Sequence, residues 1–335
     1  MPCQWHVLAL SHNFRLVTLS DCGAILSSPY AFLMVLEKIP TFLITGALVI
    51  IFVCLKRHAR SARLTLWTVG WTLVFTHFLA QLLEPDHAPA NSFLLAIDCG
   101  SLQAAVVAFL VSVSSVAEDY EDRIFPLVIL GVPSVAYAVC ASYGVHVRWP
   151  YTLCLIACFG GAAYFSLKVG RRLSSSLAAA TFLCSLAGAW AIGAAILGSF
   201  QEGAITLIAI GFGLSGVFIC QNDRPLSPAI LTIAGGFVSW GAAFPIRLLL
   251  DRLAPHLIVP GELWNTPKIF VAFGMILAVV EDKSESIAGM QHKADRLDRR
   301  LVRFSAITSR LLSGASWMRF VPKLPLLSQT SARSV

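Results

Sequence analysis

Charge is what this chain has least of. Only 13% of its 335 residues are Asp, Glu, Lys or Arg, about half of the roughly 25% that a soluble domain carries. So little charge cannot cover a water-facing surface, and a mean hydropathy of +0.75 excludes an ordinary soluble fold. The chain reads as an all-α, polytopic membrane protein. Signatures of chemistry are missing too. The apolar stretches contain no H-x-x-x-H pair and no paired carboxylates, and no nucleotide-binding loop occurs anywhere. Those patterns serve metal ligation, acid–base catalysis and phosphate binding, so the expectation is a non-enzyme with no catalytic residue, metal or cofactor.

Other absences narrow the reading further. Cys54, Cys99, Cys140, Cys154, Cys158, Cys184 and Cys220 lie in apolar stretches without a C-x-x-C spacing, which makes them small buried hydrophobes rather than a redox or zinc site. The N-terminus lacks the basic start, apolar core and small-residue cleavage site of a cleaved signal peptide. No internal repeat or matched pair of broken helices stands out, which argues against a secondary transporter. Pro133 and Pro245 could each break a span, but not at matching places.

What is present is apolar sequence punctuated by basic loops. The net charge of +7 sits in short loops and near the C-terminus, the positive-inside bias rather than a nucleic-acid footprint. Lys56, Arg57, His58, Arg60 and Arg63 form the densest basic loop, so that loop is expected in the cytoplasm and the N-terminus outside. Parity with Lys168, Arg171 and Arg172 agrees. The spacing predicts a bundle of about nine spans, or seven or eight if the first or last segments lie in the interface. Residues 1–27 are expected to be extracytoplasmic or interfacial, 28–281 the bundle, 282–313 a cytoplasmic helix and 314–335 a disordered tail. The expected location is the cell inner membrane, with the lipid bilayer as partner.

Small residues suggest where helices approach. Ala189 with Gly193, and Gly211 with Ser215, are small-xxx-small pairs. Trp67, Trp71 and Trp264 could stack on a ligand, but they fall near predicted interfaces, where aromatic-belt anchoring is the expectation.

Ionisable groups inside spans are costly and serve as site candidates. His77, Asp98 and Arg247 fall at similar depth near the outer ends of three spans, with Gln81 and Gln103 close in sequence. Together they predict an outer-facing polar pocket that binds a small ligand or senses protons. The competing expectation is a structural ion pair between Asp98 and Arg247, or that each reaches interfacial water.

The last segment organises the rest. Thr266 and Pro267 have the N-cap and N1 pattern of a helix start. That leaves about fourteen apolar residues, about 21 Å against a core of about 30 Å, so either Lys268 snorkels or the helix rests on its neighbours. Beyond it, Ile287, Met290, Ala294, Leu297, Leu301, Phe304, Thr308 and Leu311 recur at steps of three and four, the a/d spacing of a coiled coil. Ile269, Phe273, Ile276 and Val280 keep the register, and Lys283 breaks it once. With Ile287 at a, Lys293 is at g and Asp298 at e, a relation that pairs opposite charges across a parallel two-stranded coil. A parallel homodimer through residues 287–311 is expected. The alternative is an amphipathic helix drawn to the inner leaflet by its arginines.

Two stretches carry a resemblance. One is Leu66, Trp67, Thr68, Val69, Gly70 and Trp71. The other combines Asp251, Arg252 and Pro255 with Trp264, Asn265, Pro267 and Lys268, then Ala272 to Leu277 and Glu281. From Pro40 to Leu312 the chain resembles the multi-pass sensory N-terminal regions of bacterial, notably acidobacterial, signalling proteins. In these, a membrane region precedes GAF or PAS and then GGDEF or histidine-kinase output domains. The resemblance implies a signal-input role and assigns no catalytic residue. Departure comes after Ser313, where only about twenty residues follow, too few for such an output domain. The expectation is a stand-alone input module or a shortened product. A small-molecule permease or channel built on the same polar groups is the alternative.

Overall fold

The computed structural model describes residues 29–58, 61–83, 91–113, 120–169, 175–222, 226–254 and 261–313. Every regular element among them is a helix: α1 Pro29–His58, α2 Ala62–Leu83, α3 Ser92–Ser112, α4 Tyr120–Ser142, α5 Arg148–Val169, α6 Ser175–Leu197, α7 Phe200–Asn222, α8 Pro228–Leu253 and α9 Gly261–Ser313. Among the described residues, seven helices are long and apolar enough to cross a membrane. The other two are α5 and α6. The described apolar part of α6, Thr181–Leu197, is shorter, so the seven fall at the lower end of the range expected from sequence. The segments 1–27 and 314–335 and the loop Glu84–His87 lie outside the described residues, as does most of the acidic loop near Glu118.

Local chemistry explains the helix starts. The Asn91 side chain accepts a hydrogen bond from the Phe93 N–H at 3.0 Å, capping α3. Ser227 caps α8 by accepting from the Ile230 N–H at 3.3 Å, with Pro228 in the first turn. Pro40, Pro126, Pro133 and Pro245 all lie inside helices, so neither Pro133 nor Pro245 ends its element.

The last helix corrects the sequence reading. It begins at Gly261, not at Thr266, and Pro267 lies within it. Pro267 lacks an N–H for the carbonyl four residues back, and the helix runs through it with that one bond missing. The six added residues lengthen it by about 9 Å, which removes the expected shortfall in membrane thickness.

From α1 to α8 each helix packs against the next, and α3 lies against α7. The centre is aromatic. Trp71, Phe109, Phe212 and Phe237 are fully buried and Trp240 is nearly so. Trp240 stacks on Phe212 with centroids 4.0 Å apart, and Trp71 meets Phe52, Phe109 and Trp240 at about 6 Å. Trp67 and Trp71 are therefore core residues, not belt anchors. A second cluster joins α4, α5 and α7, where the Tyr137 hydroxyl donates to the Phe200 carbonyl and Tyr151 stacks on Phe200 at 3.8 Å.

Glycines set the closest crossings. A β-carbon at Gly211 would meet Val106 of α3, so the Gly211–Ser215 pair does mark a crossing. At Gly193 nothing lies within 4 Å, and Ala189 is exposed. The Ala189–Gly193 pair marks no contact. The backbone contacts are at Gly216 and Gly241 between α7 and α8, and at Gly236 and Gly274 between α8 and α9.

The chain divides into two compact units, Met1–Ala278 and Val279–Val335. In the second, Ile287, Met290, Leu297, Leu301 and Phe304 are all more than half exposed. Thr308 is partly covered, and the Leu311 side chain lies outside the described residues.

Candidate functional site

A cavity of about 130 Å³ opens between helices of the first unit. Four of the five polar residues expected from sequence share its wall: His77 and Gln81 from α2, Asp98 from α3 and Arg247 from α8. Helical spacing explains the grouping, since His77 and Gln81 are one turn apart on α2.

The fifth, Gln103, is not on the cavity wall. It is 2% exposed, and neither side-chain amide atom finds a hydrogen-bond partner among the described residues. Burying an amide without partners costs stability. Gln103→Leu is therefore expected to raise stability by about 1–2 kcal/mol, read as a higher unfolding midpoint in detergent. A lower midpoint would show that the amide has a partner there.

The acid and imidazole form one unit. His77 Nδ1 lies 2.5 Å from Asp98 Oδ1 and 3.1 Å from the Asp98 carbonyl oxygen. Gln81 Nε2 lies 3.3 Å from His77 Nε2. With the amide in this orientation, Gln81 donates to Nε2, and the His77 proton sits on Nδ1, facing Asp98. The carboxylate thus engages His77 in place of the expected Arg247. Arg247 contributes its charge to the same wall from α8.

The sequence reading missed the contribution of α9. Trp264, Asn265 and Lys268 also line the cavity. Lys268 is held by its neighbours: its Nζ lies 4.2 Å from the Phe78 ring centroid, a cation–π contact, and donates to Asn265 Oδ1 at 2.6 Å. The Asn265 amide then donates to Thr41 Oγ1 of α1 at 3.1 Å. Deeper on the same helix, the Trp71 indole donates to the Met275 sulfur at 3.4 Å. An ionisable residue within an apolar helix was the available signal. Placing the helix start at Thr266 hid it, because that put Lys268 at an interface.

Apolar surface completes the wall, with Phe78, Trp240 and Phe244 from the aromatic centre and Leu102, Ile205 and Ile208 around them. An apolar pocket with a few convergent polar groups is the usual form of a small-molecule site. Among the described residues no group of three or more His, Cys, Asp and Glu side chains could hold a metal ion.

No family model, curated protein or solved structure matches this chain.

Proposed function

We propose that this chain is a non-enzymatic membrane signal-input module, in which a small molecule enters the polar cavity and α9 carries the response to its C-terminal seam. The observation that carries this reading is that α9 supplies Trp264, Asn265 and Lys268 to the cavity wall. The same helix extends to Ser313. A ligand that binds two packings of α9 unequally shifts their populations, and a few kcal/mol of difference is enough. The resemblance of Leu66–Trp71 and Trp264–Glu281 to bacterial sensory membrane regions supports the same role. A permease could use these polar groups as a pathway, but it has no need of an apolar seam.

The seam is proposed to pair two copies in parallel through residues 287–311. Leu297, Leu301 and Phe304 are 59%, 67% and 71% exposed in the single chain, an apolar stripe that pairing would cover. Parallel pairing sets Lys293 against Asp298, whereas antiparallel pairing brings Lys293 and Arg300 among like charges. The arginines of this helix support a cytoplasmic position for it, in an inner-membrane protein whose N-terminus lies outside.

One experiment tests the whole reading. In a cysteine-free background, Leu297→Cys and Leu301→Cys are expected to cross-link between chains, and Arg299→Cys and Arg303→Cys are not. A membrane-impermeant bifunctional thiol reagent should work on inside-out vesicles and fail on spheroplasts. Adding Lys268→Met, at the cavity, should change the yield at Leu297. Equal cross-linking at all four positions would return the helix to the membrane-surface alternative. An unchanged yield with Lys268→Met, together with solute uptake into proteoliposomes, would make a permease the better account.

A further inference from the structure

We propose that the cavity takes a small organic monoanion built on a single ring, a carboxylate of the benzoate type. Arg247 and Lys268 would hold its charged group, and Trp240 and Phe244 its ring. The inference rests on the cavity reading above and adds the chemistry of the occupant.

Charge selects the sign. Among the described residues, the wall carries two cations, Arg247 and Lys268, against the single carboxylate of Asp98. In a site of low dielectric constant such an excess attracts one negative charge strongly. A monoanion offsets the excess among the lining residues, whereas the second charge of a dianion would face Asp98. A cationic ligand would meet two like charges and find the one carboxylate already in contact with His77. The planar guanidinium of Arg247 suits a carboxylate, with which it can form two parallel hydrogen bonds.

Size and surface select the body. At about 130 Å³ the cavity is of the same order as the roughly 150 Å³ apolar cavity that accepts benzene in another protein. One ring fits, and a sterol does not. Trp240 and Phe244 supply aromatic surface next to the cations. Lys268 would have to turn to meet the ligand. Its Nζ donates to Asn265 Oδ1, and turning toward a bound carboxylate would give up that bond. Asn265 is also tied to Thr41, so occupancy would alter how α9 is held to α1.

The 335-residue chain in detergent is titrated with benzoate while its tryptophan emission is followed, since Trp240 and Trp264 line the cavity. A saturable change is expected, with benzamide, the uncharged isostere, binding at least about tenfold more weakly. Octanoate presents the same carboxylate on a flexible chain, as a lipid-derived ligand would, and is also expected to bind more weakly. Arg247→Gln and Lys268→Gln should each raise the Kd roughly tenfold. Their unfolding midpoints without ligand show that each variant has folded, and either variant alone suffices. Equal binding of benzamide or octanoate, no saturation, or an unchanged Kd in the folded variants would overturn the proposal. The two readings fail separately. Saturable benzoate binding that leaves the Leu297→Cys cross-link unchanged would sink the signalling role and keep the ligand. Absence of binding while Lys268→Met still shifts the cross-link would do the reverse.

Discussion

Replacing Trp71 by alanine is expected to cost about 3–5 kcal/mol of stability, the range for deleting a large buried aromatic side chain. The indole is fully buried. It is stacked near Phe52 and Trp240, meets Phe109 edge-on and donates to Met275 of α9. Lipid is as apolar as the core, so the loss in a membrane protein comes from packing rather than from exposure to water. The cavity left by Trp71→Ala would lie among helices that cannot all close on it, because α3 and α8 also meet through Phe109, Phe237 and Trp240. Trp71→Phe should cost much less, since it keeps most of the stacking and gives up only a weak bond to sulfur. Trp190, on α6, is 61% exposed, and Trp190→Ala should change stability by no more than about 0.5 kcal/mol. Unfolding in mixed micelles on adding a denaturing detergent measures all three. Equal losses at Trp71 and Trp190 would mean that the aromatic centre does not hold the bundle.

Gly274→Ala is expected to destabilise by about 1–3 kcal/mol, the cost of overpacking a close contact. A β-carbon there would fall 2.7 Å from Ile233 Cγ1 and 2.8 Å from the Ile233 backbone nitrogen. Backbone cannot swing aside as a side-chain tip can, so α9 must move away from α8. The movement should reach the cavity, because Lys268 and Asn265 belong to the same helix. Gly289→Ala, also on α9, should do the opposite. Nothing lies within 4 Å of its β-position, and alanine is favoured over glycine in a helix by up to about 1 kcal/mol. The sign difference between two identical substitutions on one helix is read from thermal midpoints. A stabilising Gly274→Ala would show that α8 and α9 do not touch there.

The class of fold and part of the site were legible in the residues themselves. Scarce charge and long apolar runs impose helices, since a backbone in lipid must satisfy its own hydrogen bonds. The costly polar groups His77, Gln81, Asp98 and Arg247 stood out for the same reason, and their similar depth implied proximity once their helices were neighbours. Gln103 looked equivalent to them, because sequence gives depth but not the direction a residue takes around its helix. Only packing decided that Asp98 engages His77 and not Arg247, because the partner depends on which helix faces α3. Local rules read Pro267 as a beginning, whereas α9 runs through it from Gly261. That brought Trp264, Asn265 and Lys268 onto the cavity wall. The heptad in residues 287–311 needed no tertiary structure to be seen, because its period is written in consecutive residues. Which glycines are contacts did need it: Gly193 and Gly274 are alike in sequence, and only the neighbouring helix sets them apart.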